Sequence, residues 1–511
     1  MLGNVSLSLA PVMEAVAASR PRRGRFSLGP LGVLLFTLLG FLVMGYHPGL
    51  EDDGVYLTAV KADLNPALFP YNADFSRLQT QATVFDKWMA HFVRWTGMPL
   101  AWAELFWQLV SLFIILWAVK EIANRLFAEE PAQWAALALV SAMFTMPVAG
   151  TALYMADQHL HPRTLATAMI LLAVWRVIGR KLWQAAFLLI LAFLMHPLMA
   201  VMGFSFCIFL ALALLDSFRP LTGLWRNSVA AMAPLGWVFE PANPAWRQAL
   251  DTRTYYYLFK WTWYEWLGAI GPLFFFWLMW RVSCKRGEHL LARFSLAAFS
   301  YGVFQQALAL ALLWPASMVR LTPLQPMRYL HLLYFLLMMT AGCLLGKYLL
   351  KRNVWRWAAF LLVVNGFMFA WQRAEFTASR HLELPGRQPS NAWLQAFDWI
   401  KTNTPVDAYF ALDPHYMEAP GEDYHSFRAL AERSQLADAV KDAAVVTQVP
   451  GLGPEWASQV QAQSGWHNFA LADFARLKSQ TGVNWVLISY PQPPGLACNW
   501  HNQRLAACPI P

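Results

Sequence analysis

Apolar residues in this chain fall into long blocks, separated by short polar stretches. The first block covers about 28–46 (LGPLGVLLFTLLGFLVMGY); others lie near 99–119, 132–150, 164–179, 182–195, 197–216, 221–238, 264–282, 293–313, 329–349 and 355–372. Most approach the 18–22 residues a helix needs to cross about 30 Å of hydrocarbon. The pattern predicts eleven membrane spans, the seventh weakest because Arg226 interrupts it. No small-x-small cleavage site follows the first block, so it reads as an uncleaved span.

Beyond residue 372 the pattern changes. NAWLQAFDWIKTNTP places Trp393, Phe397 and Ile400 on one helical stripe and stops at Pro405. The segments 408–412, 442–446 and 483–489 read as buried strands, with SFRALAERS and LADFARLKS as helices between them. Strands alternating with helices predict a small α/β layer domain. The expected fold class is therefore mainly α: a polytopic helical membrane protein with a C-terminal extracytoplasmic α/β domain. Residues 1–26 form a cytoplasmic tail, 27–375 the spans, with a first outside loop at 47–98, and 376–511 the outer domain.

Composition agrees, with 58% hydrophobic and 14% charged residues over 511 positions. Disordered, collagen-like and coiled-coil classes are excluded, as is a single soluble globule. The net charge of +9 does not indicate nucleic acid, because the basic residues sit at the ends of apolar blocks. With the N-terminus inside, cytoplasmic segments carry 19 Lys and Arg in about 80 residues. Outside loops carry 10 in about 110. An odd number of spans then puts the tail outside, where Cys498 and Cys508 could pair. Losing the seventh span alone would invert every later charge cluster.

Four outside segments carry chemistry. Glu51, Asp52 and Asp53 follow the first span, with Tyr56 one turn on. Adjacent carboxylates repel, so one is expected with a raised pKa unless a cation is near, which suits a general base; a helix N-terminus is the alternative. In TALYMADQHLHPRT (151–164), Asp157, His159, His161 and Arg163 suit a divalent metal ion, a non-metal role in an active site, or a cap for the fourth span. Arg320 and Arg328 bracket two prolines and suit a phosphate or lipid headgroups. The aromatic run 241–268 reads as an interfacial helix or a sugar-stacking groove.

Asp52-Asp53-Gly54-Val55-Tyr56 resembles the D-E-x-x-Y-like motif of the protein O-mannosyltransferase and aminoarabinose-transferase branches of the GT-C membrane glycosyltransferases, with Asp53 replacing the Glu. Tyr46-His47-Pro48 is similar to the start of the H-P-D-E motif of lipid-linked mannosyltransferases, interrupted by Gly49-Leu50. The resemblance implies a multi-span core with an outside α/β domain, in a bacterial inner membrane. It implies transfer of a sugar from a polyprenyl-phosphate donor to a glycan, lipid or protein hydroxyl, with inversion and no nucleic-acid partner. Asp52, or failing that Asp53, would be the base. Arg320 and Arg328 would hold the phosphate, with Tyr56, His159 and Arg163 binding substrate. Asp157 or His159 would orient the acceptor or hold a divalent ion, and no other cofactor is implied. A polysaccharide polymerase or ligase, a transporter and a non-catalytic GT-C-like protein remain alternative readings.

The tail motif SFRALAERSQLADAVKD offers Ser426, Arg428, Arg433, Asp438, Lys441 and Asp442, either as a salt network or for acceptor recognition. Gly451-Leu452-Gly453-Pro454 lacks the strand–helix setting of a nucleotide loop.

Overall fold

The computed structural model describes residues 29–215 and 242–511; the predicted seventh span, with Arg219 and Arg226, and the N-terminal arginines lie outside the described residues. Each of the other ten apolar blocks carries a helix. In chain order the helices are α1 (Gly29–Met44), α2 (Asp53–Leu64), α3 (Asp74–Thr80), α4 (Phe85–Thr96), α5 (Leu100–Leu126), α6 (Glu130–Ala142), α7 (Pro162–Ile178), α8 (Leu182–Met195) and α9 (Pro197–Ala213). Then come α10 (Pro244–Asp251), α11 (Trp263–Arg286), α12 (His289–Leu313), α13 (Tyr329–Leu344) and α14 (Val354–Glu375). Among the described residues, five helical stretches, α5, α11, α12, α14 and the one containing α13, are long and apolar enough to cross a membrane; α1, α8 and α9 are shorter apolar helices.

The outer faces of these helices are apolar. Leu31, Leu35 and Leu42 on α1, Trp183, Phe187 and Ile190 on α8, and Leu362, Val363 and Phe367 on α14 are all exposed. Apolar surface on this scale marks a lipid boundary, and the chain is a multi-pass integral membrane protein. Inside the bundle α13 and the π-helical turn that continues it (Leu345–Leu350) lie against α6 with almost no gap. A Cβ on Gly342 would stand 2.6 Å from the Ala135 carbonyl oxygen, and one on Gly346 2.2 Å from that of Pro131. Small residues four apart permit this approach.

The predicted third span, 132–150, is shorter than expected. Helix α6 ends at Ala142, and a two-stranded hairpin follows, β1 (Pro147–Val148) with β2 (Leu153–Tyr154). Pro147 cannot continue the helical hydrogen bonding. Spans five and six break at His196-Pro197 for the same reason.

The C-terminal part contains α15 (Ala392–Asn403), β3 (Tyr409–Ala411), α16 (Phe427–Ala431), β4 (Ser434–Gln435), α17 (Lys441–Gln448) and α18 (Gly453–Ala462). After these come α19 (Leu471–Thr481), β5 (Trp485–Ser489), β6 (Trp500–His501) and β7 (Leu505–Pro509). The sheet order is β4-β3-β5-β7-β6, with β4, β3 and β5 parallel and β7 antiparallel to β5 and β6. Period-2 alternation sends Phe410, Leu412 and Leu487 toward α15, and Tyr409, Ala411, Val486 and Ile488 toward α19. Cys498 and Cys508 are joined as a disulfide.

Residues 442–446, expected as a strand, belong to helix α17. Asp438 starts this helix, its Oδ1 accepting backbone N–H bonds from Val440 and Asp442 at 2.9 and 3.2 Å. A short apolar run does not distinguish strand from buried helix. The aromatic run before α11 is also placed differently from an interfacial helix. Trp246, Leu250, Tyr256 and Tyr257 are buried against Val445, Val446, Leu452 and Trp456 of the C-terminal part.

Candidate active site

The acidic tripeptide leaves the bundle through an extended turn. Tyr46 bridges Leu382, and Leu50 bridges His425. Glu51 adopts a left-handed conformation (φ 49°) with its N–H bonded to the Tyr424 carbonyl at 2.9 Å. Asp52 occupies the N-cap position of α2, yet its side chain caps nothing. Gly54 is required here: a Cβ would lie 2.5 Å from that of Ser426, so α2 and the C-terminal part touch at this point.

The two aspartates have opposite surroundings. Asp53 is buried, and its Oδ2 accepts the Gly49 N–H at 2.6 Å. Burial raises its pKa above the ordinary carboxylate value. The Asp52 side chain is 36% exposed and faces cations. Its Oδ1 lies 3.2 Å from Lys441 Nζ, and its Oδ2 3.8 Å from His161 Nε2 and 3.9 Å from Arg163 Nη1. Desolvation works against the charge, but the cations Lys441, Arg163 and Arg328, with the His161 ring beside them, hold the carboxyl well below its usual range. The two acids thus differ through their surroundings and not through mutual repulsion: burial raises Asp53, whereas Asp52, the acid expected as base, is held low by cations.

Helix start signals position the cationic side. His161 caps α7, its Nδ1 accepting the Arg163 N–H at 2.9 Å, with Pro162 in the first turn. That bond leaves the proton on Nε2, which points at Asp52. His196 caps α9 in the same way, before Pro197, through the Met199 N–H. The His161 and His196 rings lie 6.2 Å apart, and Tyr56 packs edge-on to His161 at 5.0 Å. Arg163 also grips Asp157, through Nη2–Oδ1 at 2.6 Å and Nε–Oδ2 at 3.3 Å. Against the cost of burial, this guanidinium keeps Asp157 ionised.

The array holds more cationic hydrogen-bond donors than its carboxylates take up. Arg163 Nη1, Arg328 Nε, and Arg253 Nε and Nη2 are buried without a hydrogen-bond partner. Arg253 lies within electrostatic reach of Lys441, and Arg328 within reach of Asp52, Arg163 and Tyr256. Unsatisfied guanidinium N–H groups suit an oxyanion. Tyr256 ties the surrounding loops together, its hydroxyl bonded to Gln325 Nε2 at 2.8 Å and Thr447 Oγ1 at 3.2 Å.

Of the residues singled out in the sequence, Asp52, Tyr56, Arg163 and Arg328 come together. Arg320 sits, partly buried, on the 3₁₀ segment Ala316–Leu324 that leads toward Arg328. His159 is buried beside His161, with ring centroids 5.9 Å apart. The metal reading of Asp157 and His159 meets a physical objection, because the guanidinium of Arg163 already occupies the cation position at Asp157. Among the described residues, the grouping of three ligand atoms is instead His47, Glu383 and His425. Lys441 and Arg253 were not assigned to this site from the sequence. Both lie on segments marked there for other reasons, and only tertiary packing brings Lys441 to Asp52 and Arg253 within reach of Lys441. Elsewhere in the tail motif, Arg428 and Asp442 form a buried bidentate pair at 2.6 and 2.7 Å, and Arg433 binds the Lys401 and Thr404 carbonyls.

No family model and no curated protein matches this chain. Solved structures that resemble it loosely include the archaeal oligosaccharyltransferase AglB from Archaeoglobus fulgidus, in complex with an inhibitory peptide and a dolichol-phosphate. The alignment covers 90% of this chain and 69% of that one, with 12% identity and a TM-score of 0.36. A likeness this loose assigns neither fold nor function.

Proposed function

We propose that this chain is a membrane glycosyltransferase that moves a sugar from a polyprenyl-phosphate donor to an acceptor hydroxyl at the outer face of the membrane. One observation carries the reading. An ionised, partly exposed carboxylate, Asp52, faces Lys441, which it shares with Glu51, and lies within reach of Arg163 and Arg328, while guanidinium N–H groups of these arginines lack acceptors. A donor phosphate would take up those N–H groups. In drawing off the cations, it would weaken the field on Asp52 and return its basicity toward that of an ordinary carboxylate.

The acceptor oxygen then attacks the anomeric carbon as the sugar–phosphate C–O bond breaks. Asp52 takes the hydroxyl proton, and the polyprenyl phosphate leaves against Arg163 and Arg328. A single displacement inverts the anomeric centre. The exposed apolar faces of the bundle supply a surface for the prenyl chain, and the disulfide fits an oxidising, extracytoplasmic setting for the C-terminal part.

The test is Asp52→Asn, assayed for transfer from a polyprenyl-phosphate sugar in proteoliposomes. Transfer is expected to disappear while membrane insertion and thermal stability persist. Full activity in that variant would overturn the assignment.

A further inference from the structure

Beside this site lies a second cluster that it does not use. We propose that His47, Glu383 and His425 bind one divalent transition metal of the zinc type, clipping the end of α1 to the C-terminal part.

The three donor atoms lie within 4.8 Å of one another. Glu383 Oε2 stands 2.9 Å from His425 Nε2 and 3.3 Å from His47 Nδ1. Around a tetrahedral metal with bonds of about 2.0–2.1 Å, donor atoms are about 3.3–3.4 Å apart, so the side chains need only small adjustments. His47 Nδ1 is near Oε2 without the alignment of a hydrogen bond. Both ring nitrogens of His47, Nδ1 of His425 and Oε1 of Glu383 are buried and unpartnered. That many orphaned polar atoms around one point are costly in an empty site and are accounted for by an ion.

The surroundings fit as well. His425 Nδ1 faces Glu422 Oε1 at 3.5 Å, the carboxylate–imidazole pairing that orients metal-bound histidines. The His47 ring stacks on Phe376 with centroids 4.3 Å apart. A backbone ladder joins the three ligand segments: Tyr46 N–H to His381 O at 3.0 Å, Glu383 N–H to Tyr46 O at 2.9 Å, and Ser426 N–H to Gly49 O at 2.8 Å. Two imidazoles and a carboxylate select a zinc-like ion over calcium or magnesium, which take oxygen ligands. The histidines are sealed from solvent, as in structural sites. Glu383 also lines a cleft of ≈ 630 Å³, which can supply a water as fourth ligand. The ion would sit five residues before Asp52 in the chain and fix the turn that presents it. Metal binding itself does not depend on the glycosyltransferase reading.

The experiment uses the full chain in detergent, without a polyhistidine tag, equilibrated with zinc sulfate, passed through a desalting column and analysed for metal by mass spectrometry. About one zinc per chain is expected, together with a rise in melting temperature that chelation reverses. Cobalt loading should give the visible absorption of a four-coordinate site. Glu383→Gln and His47→Gln should each lower zinc retention by roughly tenfold or more, and Glu422→Gln should weaken affinity by about 10–100-fold. Asp157→Asn should leave retention unchanged. Two results overturn the proposal. One is wild-type chain that holds no zinc and shows no thermal shift, leaving a metal-free His–Glu–His ion cluster. The other is zinc that survives the Glu383→Gln/His47→Gln double substitution, which marks adventitious binding.

Discussion

The two ends of the helical bundle share one charge motif and differ in what surrounds it. At the end where α1 begins, one cation sits between two acids: Lys347 lies 3.1 Å from Glu129 and 3.0 Å from Glu288. At the other end Lys441 likewise lies 3.2 Å from both Glu51 and Asp52, but Arg163, Arg253 and Arg328 add buried guanidinium N–H groups that stay unbonded. The first arrangement is electrostatically complete without a further ion. The second leaves guanidinium N–H groups without acceptors. Both ends are rich in Lys and Arg, so the difference lies in how the cations are paired.

Several substitutions would break or sharpen this contrast. Asp52→Asn should lower transfer by about 10²–10⁴-fold if this carboxylate is the proton acceptor. Asp53→Asn, whose side-chain oxygen can still accept the Gly49 N–H, should cost no more than about tenfold. Steady-state kinetics on both variants separates the neighbours. Arg328→Ala should weaken donor binding by about 2–5 kcal/mol through loss of a buried charge-assisted phosphate contact; unchanged affinity in an equilibrium binding assay would return this arginine to a headgroup role. Gly54→Ala drives a methyl into Ser426 and should destabilise the chain by about 1–3 kcal/mol, read as a lower melting temperature. Lys347→Met, at the completed end, should change stability by about 0–1 kcal/mol and leave transfer intact.

The smallest effect is on pH dependence. Asp52 and Asp157 have folded pKa values below their unfolded values. Their contribution is therefore fully present above the unfolded carboxylate range near 4 and is lost as pH falls through the folded values. Melting temperature should stay level from pH 7 to about 5 on their account and decline below about 4. In Arg163→Met, burial acts on Asp157 without its main cation, so the decline should begin at higher pH.

Much of this was legible in the chain. Ten apolar blocks became helices, the stripe of Trp393, Phe397 and Ile400 became α15, and 408–412 and 483–489 contain β3 and β5. Residues 442–446 misled because the pattern Ala-Ala-Val-Val fits a buried strand as readily as a buried helix; Asp438, four residues upstream, decided between them. In the site, the acidic tripeptide and Arg328 were visible because charge near hydrocarbon is rare and costly. Lys441 was visible only as one member of a tail motif. Its neighbours in sequence, Asp438 and Asp442, serve the Arg428 network, and nothing local separates its role from theirs.

The order of residues alone fixed which segments are apolar enough for lipid, where helices start at His-Pro pairs, and that acids follow the first apolar helix. These follow from local chemistry: side-chain transfer free energy, a missing proline N–H, a capping nitrogen. Tertiary packing decided which aspartate is open and which is buried, which cations surround Asp52, and that His47 meets Glu383 and His425 across more than 330 positions of chain. Electrostatic coupling depends on distance and burial, and neither exists until the bundle and the C-terminal part have closed around the loop.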